Sequence, residues 1–322
     1  MNLLRRLTLR QLQIFTQVAQ EQSIVRAAEK LHLSQPAVSM QIRQLEEATK
    51  QILFERSRSG LSLTHAGSIM LQHAHRVLGE VKDAQESLSA LTQLDAGSLT
   101  LGLVSTSKYF CFQLISQFKE KYPNIDVNVV QGNRKKLLRH LRDNSIDLAL
   151  MGRPPKDLEA IAEPLANNPH LLIAPANHPL RKGQKLDFHE LRNDVFLIRE
   201  AGSGTRKVSQ RIFEQHLFQP SQSITLNSLA AIKQGIMAGL GVSLLSLHCL
   251  ELELSLDRVC ILDIDGLPTD RVWHLVHMQR KHLSPSAQAF RTFMLENTAP
   301  AIQKQFNHLW HKKRGRLKVS GG

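Results

Sequence analysis

Cysteine is scarce in this chain. Cys111, Cys249 and Cys260 are the only three, and no two of them stand close enough to form a CxxC or a metal-ligating cluster. An odd, sparse set suits a reducing compartment and argues against a disulfide scaffold. Long apolar runs are missing as well. The most apolar stretch, Ile236 to Leu250, spans 15 residues and is broken by Gly239, Gly241, two serines and His248, whereas a membrane-spanning helix needs about 20. Arg5, Arg6 and Arg10 are not followed by the apolar segment of a signal peptide. These absences lead us to expect a soluble, cytoplasmic protein with no membrane role and no resident metal or cofactor.

Acidic side chains are in deficit. The 28 Asp and Glu face 41 Lys and Arg, a formal net charge of +13, which favours a polyanionic partner, nucleic acid before membrane. Residues 1–65 hold nine basic and five acidic side chains, residues 66–96 two and four, and residues 301–322 six and none. The run from Lys312 to Lys318 reads equally as a solvated tail or as a phosphate-contacting one. With an ordinary apolar fraction of 42%, a chain of 322 residues is expected to form two or three compact units.

Short helical patterns fill the first 65 residues, beginning with Leu9, Leu12, Phe15 and Ala19 at helical spacing. Ile69, Leu71, Ala74, Leu78, Val81, Leu88 and Leu91 then predict one long helix over 66–95, a linker and a helix-pairing surface. Beyond Gly97, strand-like and helical runs alternate, which predicts a parallel or mixed sheet with covering helices. About 200 residues of this kind suit two lobes around a cleft. We place lobe 1 at 96–167 and 269–300, lobe 2 at 168–268, and a basic C-terminal tail at 301–322.

The stretch from Ser23 to Glu46 carries the first chemistry. Ala28 and Leu31 are the apolar positions of a short helix, and small Ala27 and Ala28 allow a close helix crossing. Ser34 is a good N-cap and Pro36 is tolerated in a first helical turn. Val38, Ile42 and Leu45 then form the buried stripe of a second helix. The intervening turn has the length that a helix-turn-helix requires. Gln35, Ser39, Gln41 and Arg43 are left free to face outward, and such side chains read base edges and phosphates in the major groove. Two short β-like runs around Ser57–Gly60 make a wing, from which Arg56 and Arg58 reach the backbone or minor groove. The expected DNA-binding set is Ser34, Gln35, Pro36, Ser39, Arg43, Arg56 and Arg58, with double-stranded DNA as partner.

Three loops at strand ends carry the second. Ser105, Thr106 and Ser107 lie in one, Gly152 and Arg153 in another, and Ser203 and Thr205 in the third, Gly202-Ser203-Gly204-Thr205-Arg206. Two of them place hydroxyls and free N–H groups at a helix start, which favours an anion, and open α/β sheets bind ligands beyond the carboxyl ends of their strands. Glu200 would repel an anion unless it faces away or pairs with Arg206 or Lys108.

The run Arg26-Ala27-Ala28-Glu29-Lys30-Leu31-His32-Leu33-Ser34-Gln35-Pro36-Ala37-Val38-Ser39 resembles the LysR-type transcriptional regulators. So do Leu53-Phe54-Glu55-Arg56 and Leu63-Thr64-His65-Ala66-Gly67. The resemblance covers about residues 1–300 and implies an all-α winged helix-turn-helix, a dimerising linker helix and a two-lobed α/β effector region like the periplasmic binding proteins. It also implies a homodimer or homotetramer, with RNA polymerase as a further candidate partner. Gly132-Asn133-Arg134, residues 147–155 and residues 202–206 resemble the regulators of RuBisCO and other carbon-fixation operons. That implies a small anionic, phosphorylated effector and adds Asn227 to the expected effector contacts. One departure stands out: the family's Leu-Gly pair and following Pro are replaced by Thr49, Lys50 and Ile52. Either Lys50 is strained there or the helix ends differently.

Two alternatives compete. A cytoplasmic small-anion-binding protein is opposed by the basic N-terminal domain. An enzyme using the Gly202–Arg206 loop for phosphate is opposed by the lack of an accompanying nucleophile–base pair, carboxylate pair or metal cluster. Redox sensing is disfavoured because Leu197–Arg206 contains no cysteine.

Overall fold

The computed structural model describes residues 6–57, 60–90, 96–155, 158–182, 185–269 and 271–317. The chain divides into two compact units, Met1–Thr92 with His140–Ser145, and Gln93–Arg139 with Ile146–Gly322.

The first unit opens with α1 (Leu9–Glu21), α2 (Ile24–Leu31) and α3 (Gln35–Thr49). Each begins at a side-chain cap that satisfies an otherwise orphaned N–H. Thr8 and Gln11 form a reciprocal capping box, Ser23 accepts from Arg26 N, and Ser34 accepts from Ala37 N. The core joins Leu12, Phe15 and Val18 of α1 to Ala27, Ala28, Val38, Ile42 and Leu45. Leu9 is largely exposed, so the buried stripe of α1 runs through Val18 rather than through Leu9 and Ala19. A hairpin of β1 (Phe54–Ser57) and β2 (Gly60–Leu63) follows, then α4 (His65–Ala90). The expected linker helix therefore forms, and its last expected residues, 91–95, lie outside the described ones.

The end of α3 resolves the sequence's open question. The helix stops at Thr49, and Lys50 takes a left-handed φ of 54°, a conformation costly for any residue but glycine. The chain is held by Glu46, whose carboxylate accepts from Leu53 N at 2.8 Å and Phe54 N at 3.3 Å. Gly67 has no room for a side chain: a Cβ there would lie 2.0 Å from Leu53 O.

In the second unit, one lobe is a five-stranded sheet of order β4-β3-β5-β12-β6, formed by β3 (Gly97–Val104), β4 (Ile125–Gly132), β5 (Leu148–Met151), β6 (Ala160–Asn167) and β12 (Val272–Met278). The pairs β3·β4 and β3·β5 are parallel, and β12 runs antiparallel to both its neighbours. The other lobe contains β7 (His170–Pro175) between β10 (Ser243–Ser246) and β11 (Val259–Leu262), with β8 (Val195–Arg199) parallel to β9 (Gln222–Leu226). The chain passes between lobes at Asn168 and again at Arg271, where Asn168 N donates to Arg271 O at 2.6 Å. Helices α5 (Lys108–Lys121), α6 (Arg134–Arg142), α7 (Gly204–Gln215), α8 (Leu229–Met237) and the short α9 (Glu251–Ser255) cover the sheets.

Two features depart from expectation. Strand β6 was not foreseen, because Glu163 and Pro164 interrupt its apolar pattern. It lies at a sheet edge, the place where a proline's missing N–H costs least, and β12 shifts register between Trp273 and His274, beside Pro164. The other departure is the last helix, α10 (Pro285–Leu317). The expected tail at 301–322 is instead helical as far as Leu317, and Ile302, Phe306 and Leu309 are buried in a core cluster to which both lobes contribute. Gln305 donates to Tyr109 O of one lobe and to Glu251 of the other.

Candidate functional site

The outward face of α3 carries Gln35, Pro36 and Arg43 exposed, with Ser39 half-buried, while Val38, Ile42 and Leu45 point inward. Ser34 is committed to its capping bond with Ala37 N at 3.3 Å. Arg43 pairs loosely with Glu47 at 3.3 Å on the same helix, an exposed contact that a phosphate easily displaces. Arg56 is exposed on β1; Arg58 lies outside the described residues. This is a helix-turn-helix with a hairpin wing.

The second site is a cavity at the carboxyl ends of strands from both lobes. Six of the eight expected effector residues line it: Ser105, Thr106, Gly152, Arg153, Ser203 and Thr205. The other two do not. Ser107 is fully buried and spends its hydroxyl on Val104 O at 2.9 Å, so it closes the turn before α5 instead of facing the cavity. Asn227 is exposed and is not part of the lining, because β9 lies outside the row of strand ends that meet there.

The charge comes largely from residues the sequence reading did not select. Arg134, at the start of α6, donates to Arg153 O at 2.5 Å and Pro154 O at 3.0 Å, which holds the loop after β5. Arg271 donates to Gly152 O at 2.6 Å. Its guanidinium is driven down to about 10 by burial and by the positive charges of Arg153, Arg134 and Arg211. Among the described residues, neither Arg153 nor Arg271 has an ion-pair partner. Gly152 makes this arrangement feasible, since a Cβ there would come within 3.1 Å of both Arg271 Nη2 and Asn168 Nδ2.

Across the cavity, Arg199 is nearly fully buried and donates to Ser105 Oγ of the other lobe at 2.9 Å. It also grips both carboxylate oxygens of Glu200, at 2.7 and 3.0 Å. Burial alone would raise the Glu200 carboxyl, but the hydrogen bonds and charge of Arg199, with help from Asn133, hold it below the ordinary range. The expected conflict between Glu200 and an anion is thus removed by Arg199, not by Arg206 or Lys108.

His170 and Trp273 complete the wall. Burial and the neighbouring Arg271 push the His170 imidazole down to about 3, so it is neutral. No sequence spacing marked these residues. Arg271, Asn168 and His170 gather because the two crossings between lobes run side by side, a tertiary fact.

The winged helix-turn-helix and the two-lobed cavity together define a DNA-binding regulator with an effector domain. The family model for the bacterial regulatory helix-turn-helix protein, lysR family, matches residues 9–68, and that for the LysR substrate binding domain matches residues 92–299. The chain belongs to the LysR family of transcriptional regulators.

It is 51% identical to the HTH-type transcriptional regulator CfxR of Cupriavidus necator, over 97% of this chain and 98% of the relative. It is 40% identical to the RuBisCO operon transcriptional regulator of Allochromatium vinosum, over 91% and 97%. The regulatory domain of Synechocystis CcmR, solved in complex with 2-PG, superposes with a TM-score of 0.60 at 33% identity, covering 63% of this chain and 99% of that one. Full-length CbnR complexed with its target DNA shares the fold, with a TM-score of 0.64 at 21% identity over 89% and 99%. No helix among the described residues is long and apolar enough to cross a membrane.

Proposed function

We propose that this protein controls carbon-fixation genes in the cytoplasm in response to a small phosphorylated anion bound between its effector lobes. The observation that carries the reading is the half-buried Arg271, set beside Arg153 and Arg134 with no carboxylate paired to Arg271 or Arg153 among the described residues. A concentrated positive charge in a partly desolvated cavity favours an anion strongly. Ser105, Thr106, Ser203 and Thr205 supply hydroxyl donors beside it. The names of the CfxR-like and RuBisCO-operon relatives support the target genes, and the 2-phosphoglycolate complex of the CcmR domain supports the ligand class.

On DNA, Gln35, Ser39 and Arg43 read base edges from α3, Pro36 sets its first turn, and Arg56 and Arg58 position the wing on the backbone or minor groove. Exposed Ile69, Val77, Val81 and Leu88 on α4 support helix pairing in a dimer or tetramer. The ligand acts by binding one arrangement of the protein better than another, and the preferred arrangement engages DNA differently.

The test is a footprint on the DNA flanking the gene, with and without a panel of phosphorylated metabolites. A protected site whose extent changes with one such anion, and is lost in the double variant Gln35→Ala/Arg56→Ala at fixed salt, is the expected result. An unchanged footprint across the panel would overturn the ligand reading, and unchanged affinity of the double variant the DNA reading.

A further inference from the structure

Helix α6 is short, and both of its ends are held by other segments. At its start, Asn133 Oδ1 accepts from Lys136 N at 3.0 Å and fixes the first turn. Arg134 grips the loop after β5, and Lys135 N donates to Gly202 O of the other lobe at 3.4 Å. There is little slack at that crossing, since a Cβ on Gly202 would lie 3.2 Å from Lys135 Cβ. Along the helix, Leu137 and Leu141 are fully buried, and a Cβ on Gly102 of β3 would lie 3.1 Å from Leu137 Cδ2. Packing this close transmits a displacement instead of absorbing it.

The far end of α6 is closed just as firmly. Asn144 takes a left-handed φ of 56°, Asn144 N donates to Leu141 O at 3.1 Å, and Ser145 N donates to His140 O at 3.0 Å. Residues His140–Ser145 fall in the same compact unit as α4. They meet α4 at Gly79, where a Cβ would lie 3.4 Å from Asn144 Nδ2 and 3.7 Å from Asn144 O. Gly79 is the one glycine between residues 68 and 96. A glycine inside a helix weakens it, and here it makes the room that Asn144 occupies. His75, one turn earlier, and the buried Asp83, one turn later, lie on the same face of α4. His75 Nδ1 and Asp143 Oδ1 are both buried with no hydrogen-bond partner among the described residues, although the Asp143 carboxylate is near enough to act on the imidazole. The contact is thus closely packed but incompletely bonded. A small displacement of the loop can pair these two groups, which supplies the second arrangement that a switching element requires.

We propose that α6 is the relay between ligand and DNA: an anion in the cavity shifts the start of α6, and the loop at 140–145 delivers that shift to α4 at Gly79. The inference rests on the anion reading above and adds the route by which the bound anion acts on the DNA-binding unit. Helix α4 begins two residues after the wing strand β2 ends, so a change at Gly79 reaches the wing through continuous backbone. Gly79, Asp143 and Asn144 become positioning residues for the response, with no contact to ligand or DNA of their own.

The full-length protein is titrated with 2-phosphoglycolate or inorganic phosphate, and its operator affinity is measured at fixed salt with and without the saturating anion. In the unaltered chain one of these anions should change operator affinity by about fivefold or more. Gly79→Leu introduces a strong helix former, so α4 stays helical, but its side chain must displace Asn144. This variant should still bind both the anion, by calorimetry, and the operator, while its response falls to about 1.5-fold or less. Gly79→Ala is the control: its Cβ fits at 3.4 Å from Asn144, and the response should persist. A full response in Gly79→Leu overturns the proposal. So does loss of the response in Gly79→Ala, which assigns Gly79 as a hinge within α4 and not as a landing point. Binding that leaves operator affinity unchanged in the unaltered chain overturns it as well. All three results leave the anion site standing. If neither anion binds, the anion reading itself falls, and this inference with it.

Discussion

Trp273 Nε1 donates to His248 Nδ1 at 2.9 Å, and this bond joins the cavity wall to the C-terminal helix. Behind His248 lies Phe306, with ring centroids 4.7 Å apart. Trp273 lines the cavity, His248 is buried against it, and Phe306 belongs to the part of α10 that extends beyond the matched family domain. The helix therefore backs the cavity through a single aromatic layer.

Removing that layer should be costly. Phe306→Ala deletes a side chain only 3% exposed and is expected to destabilise the effector unit by about 3–5 kcal/mol. Truncation after Ala299 should do at least as much harm, since Ile302 and Leu309 go with it. Urea unfolding followed by tryptophan fluorescence reads this unit selectively, because both tryptophans, Trp273 and Trp310, lie within it. A truncated protein as stable as the full chain would mean that the helix contributes nothing.

Stability should also fall in mild acid. Burial holds the imidazoles of His170 and His248 down to about 3 and about 4, whereas an unfolded histidine titrates near 6.5. In this interval the unfolded chain binds the protons and the folded one does not. Stability is therefore complete above about pH 6.5 and declines as the pH falls toward the folded values, by about 1.4 kcal/mol per pH unit for each histidine. Denaturation midpoints at pH 7.5 and 5.0 measure it, and His248→Gln should flatten the slope.

The left-handed Lys50 is an avoidable cost. Lys50→Gly should stabilise the DNA-binding unit by up to about 1 kcal/mol, because glycine takes φ of 54° without a Cβ clash. Lys50→Val should destabilise it. Hydrogen exchange of the α1–α3 amides in the full chain reports on this unit separately.

Gly67 should tolerate no side chain. In Gly67→Ala the new Cβ meets Leu53 O at 2.0 Å, so the start of α4 or the entry to the wing must move. We expect a loss of about 2 kcal/mol or more and markedly weaker operator binding. Exchange protection equal to that of the unaltered chain would show that the contact relaxes freely.

Much of this was legible in the chain itself, where local rules decide. Ser34, Pro36 and the Val38–Ile42–Leu45 stripe predict α3 within its observed bounds, and the alternation after Gly97 predicts sheets covered by helices, as observed. Edge strand β6 escaped because a proline and a glutamate mask its pattern. The end of α10 escaped because a basic run beside Ile302, Phe306 and Leu309 reads as a tail until the core they fill is known. The cavity was half visible: loops rich in Ser, Thr and Gly are local features, and six of their residues line it. Ser107 and Asn227 fail for reasons of direction, one turned into its own loop and the other on a strand outside the ring.

By itself, then, the sequence determined the helix-turn-helix, the sheet class and the loops able to meet an anion, since caps, periodicity and turn residues act within a few positions of one another. Only the tertiary structure decided where the charge of the cavity lies. Arg134, Arg199 and Arg271 converge from distant segments, and His170 joins them beside Asn168, because two chain crossings lie side by side. Burial then lowers the titration of Arg271 and His170 in ways that no spacing along the chain encodes.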